Sequence, residues 1–326
     1  MSERERVLIV GEGCVGAYLA RQLARSGTGL EVVLAGRPGR VEPHPTVAGI
    51  VARYGLARVA GLERLEQRAF RFVVLATKTY HHEAVAADLA RAGVTAELVV
   101  SLHNGLTRPP RTPWPAPMVR VITPGGYAFD PSLPDGLELH NEELPWKVDG
   151  DGERPRAVAS FLSAHGQPCE PDPRFGYQLL RKFHINDCAN LLTVIHDTDV
   201  AGLLDVPERV ARMHRIFHET SAVLAETREV PELARVLDSV DLAALEDEVF
   251  RGIETYRAHF PSSHHDFHAG RPLELDALNG YVVAVAEAHG RQAPENAAVV
   301  RETLEALARR DAVESARRNA VPSRLR

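Results

Sequence analysis

The chain of 326 residues contains few cysteines and no long hydrophobic run. Its three cysteines, Cys14, Cys169 and Cys188, are odd in number and far apart, which argues against a disulfide framework and favours a reducing compartment. A transmembrane helix needs about 18 or more consecutive apolar residues, and the sequence has no such run. The charged start of the chain, residues 1–6, is not typical of a signal peptide. We therefore expect a cytoplasmic protein without a membrane partner.

Positive charge is also scarce, because 38 lysines and arginines face 44 acidic residues and the formal net charge is -6. Nucleic-acid-binding proteins are normally basic, so we expect no nucleic-acid partner. Three of the 38 basic residues are lysines: Lys78, Lys147 and Lys182. Arginine is always protonated, whereas lysine can release a proton. Each lysine is therefore either a remnant of compositional bias or a candidate for a specific role.

The order of apolar segments predicts the fold. Short apolar runs in the first half alternate with helical patterns, which is typical of a parallel sheet covered on both faces. These runs cover residues 6–10, 31–35, 72–76, 98–102 and 119–122. Prolines cluster at residues 167–173, which suggests a linker, and the pattern beyond them is helical. The sequence predicts an α/β fold, with an N-terminal Rossmann dinucleotide-binding domain over residues 1–172 and an all-helical C-terminal domain over residues 173–326.

A glycine motif follows the first predicted strand directly and precedes a predicted helix. It reads G-x-G-x-x-G and comprises Gly11, Glu12, Gly13, Cys14, Val15 and Gly16. In such motifs the first glycine makes a tight turn, the second lets the backbone approach a pyrophosphate, and the third allows close helix–strand packing. The N–H groups at the helix start can bind phosphate oxygens. A purely structural glycine turn is the alternative.

The second predicted strand ends without the acidic residue that binds a ribose hydroxyl in NAD-dependent proteins. The chain reads Ala35-Gly36-Arg37 at this point. A guanidinium at Arg37 can bind a 2′-phosphate through two parallel hydrogen bonds. A solvated loop arginine is the alternative. Because the acidic residue is missing, the sequence favours NADP as the cofactor, with Arg37 as its 2′-phosphate contact.

Three polar residues follow one another at four-residue steps in the first helix of the second domain. Lys182, Asn186 and Asn190 therefore share one helix face. Burying such a strip is costly without partners, so it either lines a cleft or is an exposed stripe. Farther along, residues 261–266 are typical of a helix start with a good N-cap, and Glu274 follows.

Together these segments resemble the ketopantoate reductase family (2-dehydropantoate 2-reductase), part of the wider 6-phosphogluconate-dehydrogenase-like group. The order and spacing of short motifs over nearly the whole chain carry the resemblance. The motifs are the glycine loop at 11–16, Arg37, Ala76-Thr77-Lys78, His103-Asn104-Gly105, the helix at 182–190, the segment 262–266, Gly270-Arg271 and the segment 274–280. The resemblance implies NADPH-dependent reduction of a 2-oxo acid to the 2-hydroxy acid, with ketopantoate as the first candidate and pantothenate biosynthesis as the setting.

The resemblance also implies residue roles. Lys182 would be the general acid and Glu274 its charged partner. The implied substrate contacts are Asn186, Asn190, Ser262 and Asp266, and the further cofactor contacts are Lys78 and Asn104. The site is expected in the cleft between the two domains, and a homodimer is plausible.

The chain departs from the family pattern at positions around the expected substrate. These positions are Leu191, Val200, His259, Ser263, His264 and His265. They leave open a relative that reduces another ketone or an imine, or a non-catalytic NADP-binding sensor, although a sensor has no use for the proton donor Lys182. Adjacent histidines on a helix diverge by about 100°, so no metal site is expected, and the role of the cluster at 264–268 stays open.

Overall fold

The computed structural model describes residues 5–27 and 29–320. Most of the charged chain start and the last six residues of the predicted second domain lie outside the described residues. Two compact units are present, and the division between them falls after Phe175. Gly105–Thr107 belong with the second unit. Within the described ranges, no helix is both long enough and apolar enough to span a membrane.

Ten strands lie in the described part of the first unit. In chain order they are β1 (Arg6–Val10), β2 (Glu31–Ala35), β3 (Ala57–Val59), β4 (Ala69–Leu75), β5 (Thr95–Ser101), β6 (Met118–Ile122), β7 (Gly126–Phe129), β8 (Leu137–His140), β9 (Trp146–Asp149) and β10 (Cys169–Asp172). Strands β7 and β8 form a separate antiparallel ribbon. The others form one sheet in the order β10-β9-β6-β5-β4-β1-β2-β3.

The parallel part of this sheet has the strand order 3-2-1-4-5-6. That order is typical of dinucleotide-binding domains, in which the ligand lies where the order reverses, at the carboxyl ends of the strands. Here the reversal falls between β1 and β4. Val7 and Ile9 are buried on one face of the sheet, and Leu8 and Val10 are buried on the other. Burial on both faces explains the continuous apolar runs and confirms the predicted Rossmann fold.

The linker predicted at residues 167–173 was wrong, because Cys169–Asp172 form strand β10. This strand pairs in parallel with β9, which runs antiparallel to β6. Because β10 is the edge of the sheet, it needs hydrogen bonds on one side only. An edge strand can therefore contain Pro171, which has no N–H to donate.

Helices cover the sheet of the first unit and make up the second unit. In chain order they are α1 (Cys14–Arg25), α2 (Pro45–Tyr54), α3 (His82–Arg91), α4 (Glu153–Ala164), α5 (Phe175–His196), α6 (Val200–Leu204), α7 (Pro207–Thr227), α8 (Pro231–Ala234), α9 (Leu242–Thr255), α10 (Ser262–His268), α11 (Asn279–Ala288) and α12 (Pro294–Ala320). A 3₁₀ turn at Leu275–Ala277 precedes α11, and Leu278 between them has a non-helical backbone (φ -116°, ψ -124°).

A buried polar network joins four helices of the second unit. Thr220 Oγ1 donates a hydrogen bond to Asp187 Oδ2 (2.6 Å) and accepts one from Asn296 Nδ2 (3.1 Å). Asn279 Nδ2 donates to the backbone oxygen of Asp187 (3.2 Å) and to Asn296 Oδ1 (2.8 Å). All four residues are completely buried. The network therefore fastens α5 to α7, α11 and α12 inside the core.

The carboxyl group of Asp187 is unusual within this network. Burial raises its pKa to about 7, although the hydrogen bond from Thr220 acts in the opposite direction. Among the residues that the structure describes, its Oδ1 atom has no hydrogen-bond partner. A neutral acid costs less to bury than a carboxylate, so the folded protein favours the protonated form.

This difference predicts a pH-dependent stability. Between about pH 4 and pH 7 the Asp187 carboxyl is ionised in the unfolded chain but protonated in the folded one, so the contribution of Asp187 to the free energy of unfolding falls as pH rises and levels off above pH 7. The slope of this contribution approaches about 1.4 kcal/mol per pH unit. We expect Asp187→Asn to remove it, seen as the difference in pH slope between the variant and the original protein in urea unfolding from pH 4 to 8.

The matched control is Asp247→Asn, which changes an exposed carboxylate in the same unit. It should leave the pH slope as it is in the original protein. Identical slopes for Asp187→Asn and the original protein would contradict the assignment of this proton to Asp187.

Candidate functional site

The glycine loop after β1 is held by close backbone packing. Gly11 has φ +113°, and its N–H donates to the carbonyl oxygen of Ala35 (2.9 Å). A Cβ atom at Gly11 would lie 2.7 Å from the carbonyl oxygen of Ala76. A Cβ atom at Gly16 would lie 1.9 Å from the carbonyl oxygen of Gly11. Both positions therefore require glycine for the fold itself.

Gly13 differs from the other two glycines of the loop. A Cβ atom there would meet nothing within 4 Å, so packing does not require glycine. Gly13 is the N-cap of α1, whose first two residues are Cys14 and Val15. No side chain caps this helix end. An uncapped helix start with open space before it fits the pyrophosphate of a dinucleotide. The predicted contacts Gly13, Cys14 and Val15 suit that ligand.

A buried ion pair lies at the end of β2. The carboxylate of Glu12 accepts hydrogen bonds from Arg58 Nε (2.8 Å) and Nη2 (3.1 Å), and its side chain is only 7% exposed. A Cβ atom at Gly36 would lie 2.7 Å from the carboxyl carbon of Glu12. The glycine loop thus supplies an acidic group where the sequence predicted none, and Arg58 neutralises it.

The loop after β2 presents Arg37 to solvent. Its Nη2 atom lies 3.3 Å from His81 Nε2, after β4. Burial and the neighbouring Arg37 lower the pKa of His81, so the imidazole is neutral at pH 7. Arg58 also donates to the backbone oxygens of Arg40 (3.1 Å) and Val41 (2.9 Å). The Glu12–Arg58 pair therefore holds the loop that contains Arg37.

The other predicted cofactor contacts lie at the same edge of the sheet. Lys78 follows β4, is half-buried, and precedes a 3₁₀ turn at Thr79–His81. Asn104 follows β5 and is also half-buried. The carboxyl ends of parallel strands meet at one edge, so the fold brings both residues to the side of the glycine loop.

The polar strip predicted on the first helix of the second unit lies on α5. Lys182 and Asn186 are half-buried, and Asn190 is 9% exposed. Around them α5 buries apolar residues such as Phe183 and Leu191. The strip is therefore partly enclosed rather than an exposed stripe.

Glu274 lies in a segment that is fastened to α5. Its side chain is buried, and its backbone oxygen accepts a hydrogen bond from Ala277 N (3.1 Å) in the 3₁₀ turn. Five residues later, Asn279 donates to the backbone oxygen of Asp187, which adjoins Asn186. The buried network thus holds the segment of Glu274 against the helix of Lys182.

The segment that follows Asn104 forms a hydrogen bond to the same 3₁₀ turn. Leu106 N donates to the carbonyl oxygen of Ala277 (2.9 Å). Gly105 has φ +75°, and a Cβ atom there would lie 2.1 Å from that oxygen. The glycine of the His103-Asn104-Gly105 motif is therefore required by this close approach.

Ser262 and Asp266 lie on α10. Ser262 is exposed in the first turn but does not cap the helix, so the predicted N-cap was wrong: Pro261 occupies that position, without a side-chain hydrogen bond. Asp266 is buried and accepts a hydrogen bond from Arg271 Nε (2.8 Å). Its backbone oxygen binds Arg271 N (2.8 Å), so Asp266 shapes the turn that leads toward Glu274.

The positions that depart from the family pattern divide by burial. The buried ones are Leu191, Val200, Ser263 and His264, and the exposed ones are His259 and His265. Sequence reasoning missed the pairing of Glu12 with Arg58 and that of Arg37 with His81. An acidic residue inside the glycine motif was the signal for Glu12, whereas the pairing with Arg58 depends on the register of β3.

Comparison with known proteins covers both units. Residues 7–121 match the family described as "Ketopantoate reductase PanE/ApbA", and residues 175–305 match "Ketopantoate reductase PanE/ApbA C terminal". The 2-dehydropantoate 2-reductase of Vibrio cholerae is 32% identical over 156 residues, which are 47% of this chain and 49% of that protein. The match thus spans about half the length of this relative.

Solved structures resemble nearly the whole chain. A PanE/ApbA family ketopantoate reductase from Ralstonia eutropha JMP134 has a TM-score of 0.75 at 20% identity, covering 94% of this chain and 99% of that chain. D-mandelate dehydrogenase, solved with NADH and anilino(oxo)acetate, has a TM-score of 0.71 at 19% identity with the same coverage. At these identities the likeness confirms the fold.

Proposed function

Because the chain belongs to the ketopantoate reductase family, we propose that it reduces a 2-oxo acid to the 2-hydroxy acid with NADPH, ketopantoate being the first candidate. The family membership confirms the resemblance seen in the sequence. One observation supports the activity above the others: the buried Glu274 segment is fastened to the helix that carries Lys182 and Asn186.

The first unit has the residues to hold NADPH. The N–H groups of Gly13, Cys14 and Val15 would bind the pyrophosphate, and Arg37 would bind the 2′-phosphate. Lys78 and Asn104, at the same sheet edge, would complete the contacts. When bound, NADPH supplies a hydride to C2 of the 2-oxo acid.

The second unit has the residues for proton transfer and substrate binding. The ammonium group of Lys182 stabilises the negative charge that develops on the ketone oxygen and delivers a proton to it. Glu274 orients that ammonium group and favours its charged form. Asn186, Asn190 and Ser262 bind the substrate, whose carboxylate needs local donors because the chain is negative overall.

A bulkier or less polar 2-oxo acid, or another ketone or imine, is the second candidate. The apolar Leu191 and Val200 are buried, and both are among the positions that depart from the family pattern. A less polar substrate wall would relax the preference for a hydroxyl-bearing substrate. A cytoplasmic location and a homodimer belong to the same proposal.

The 2′-phosphate contact can be tested at Arg37. We expect Arg37→Ala to raise the dissociation constant of NADPH about 10- to 150-fold, which corresponds to the loss of a charge-assisted hydrogen bond of roughly 1.5–3 kcal/mol. NADH, which lacks the phosphate, should bind as before. Dissociation constants from fluorescence titration measure both.

A control variant sharpens this experiment. Arg91→Ala, an exposed change of the same charge, should affect neither cofactor. Equal losses of NADPH and NADH in Arg37→Ala would show that Arg37 does not bind the phosphate.

Lys182 can be tested as the acid. We expect Lys182→Ala to lower kcat by roughly 10²–10⁴-fold, the usual value of a positioned proton donor, while the dissociation constant of NADPH is unchanged. The control is Lys147→Ala, because Lys147 lies on β9 and pairs with Glu170. Turnover above about a third of the original in Lys182→Ala would contradict the role.

The substrate can be tested with a matched pair. We expect kcat/KM for ketopantoate to exceed that for 3,3-dimethyl-2-oxobutanoate, which lacks only the hydroxyl, by at least about tenfold, because a site that binds a hydroxyl leaves polar groups unpaired without it. A ketopantoate value below about 10² M⁻¹s⁻¹ would reject it as the substrate. Reduction of a bulkier 2-oxo acid would then favour the second candidate.

A further inference from the structure

The histidine cluster of α10 meets an aspartate that follows α5. His264 Nε2 lies 3.1 Å and His268 Nε2 lies 2.7 Å from the same oxygen, Asp197 Oδ1. The centroids of the two imidazole rings are 4.4 Å apart. Among the described residues, these three form the only group of histidine, cysteine and acidic side chains whose donor atoms all lie within 4.8 Å of one another.

The sequence contained the signal for this group. His264 and His268 are four residues apart and therefore share a face of α10, as the histidines of helical zinc sites do. Comparing only the adjacent residues His264 and His265 concealed this pair. The expectation of no metal site therefore rested on the wrong pair of histidines.

The spacing of the three donor atoms suits a divalent transition-metal ion. Zinc binds imidazole nitrogen and carboxylate oxygen at about 2.0–2.2 Å, so neighbouring ligand atoms of a tetrahedral ion are about 3.3–3.5 Å apart. The two nitrogen–oxygen distances here are 2.7 and 3.1 Å. The donor atoms therefore need to move apart only slightly to reach the spacing around such an ion. The metal would replace the two contacts to Asp197 Oδ1.

Contacts other than those within the group hold His264 and Asp197 in place. His264 stacks on Phe260 at 4.5 Å, and its side chain is 10% exposed. Asp197 has a left-handed backbone (φ +47°), and its N–H donates to the carbonyl oxygen of Val194 (3.3 Å). Val200 N then donates to the carbonyl oxygen of His259 (3.2 Å), which ties the two segments together.

The group is accessible to an ion from solvent. The side chains of His268 and Asp197 are 52% and 65% exposed. Three protein ligands leave a fourth position that water can occupy, as in open zinc sites. An ion at this position would connect the end of α5 to α10.

We propose that Asp197, His264 and His268 form a binding site for a divalent transition-metal ion of the zinc type. The site lies on the helix that carries Ser262 and Asp266, but it does not depend on the proposed reductase activity. Metal binding stabilises the folded protein because the unfolded chain does not bring the three donors together.

Calorimetric titration of the untagged, chelator-treated full chain with zinc chloride at pH 7.5 tests the site. We expect saturable binding and a rise in the midpoint of thermal unfolding. His268→Ala and Asp197→Asn should each weaken zinc at least about tenfold, since losing even an outer partner of a ligand costs that much. Both side chains are more than half exposed, and asparagine also adopts a left-handed backbone, so both variants should fold.

Two controls isolate the site. His265→Ala, an exposed histidine on the same helix, should bind zinc as the original chain does. His214 and His218 share Glu246 elsewhere in the unit, so a double alanine variant of these histidines tests the competing location. Absence of saturable binding, unchanged binding in His268→Ala, or loss of this binding in the double variant would overturn the proposal.

Discussion

The first unit depends on one close approach, that of Gly16 to the carbonyl oxygen of Gly11. This contact fixes where α1 begins relative to the carboxyl end of β1, and so directs the first N–H groups of the helix toward the crevice where the strand order reverses. A side chain at Gly16 would displace the helix, and one at Gly11 would clash with the carbonyl oxygen of Ala76. Gly13, between them, has no such constraint, so the fold itself requires glycine at two of the three glycine positions of the motif.

In the second unit the corresponding constraint is buried and polar. Asn279 and Asn296 connect α11 and α12 to Thr220 and to the backbone of Asp187. A network of this kind specifies one arrangement, because any shift leaves buried polar groups unpaired. It therefore determines where the segment of Glu274 lies relative to α5. The cost is a buried acidic side chain whose pKa is raised to about 7 in the folded state.

Local patterns were enough to predict the strands β1 and β2 and the helix α5, because periodicity and burial act on neighbouring residues. Features that depend on distant partners were not predictable. Strand β10 resembled a linker because its proline, Pro171, is tolerated only at an edge, and an edge is a property of the whole sheet. The pairing of Glu12 with Arg58 joins residues 46 apart. Of the site, spacing alone grouped the polar strip of Lys182, whereas the roles of Lys182 and Glu274 came from family resemblance.

The Glu12–Arg58 pair also restricts how this protein can change over time. Replacing Arg58 alone would leave a buried carboxylate at the end of β2, and replacing Glu12 alone would leave a nearly buried cation. Each single substitution destabilises the protein because it leaves the remaining charge unpaired, so the two positions are epistatic. A change of charge at this edge of the sheet therefore has to pass through paired substitutions in two segments that are remote in the sequence.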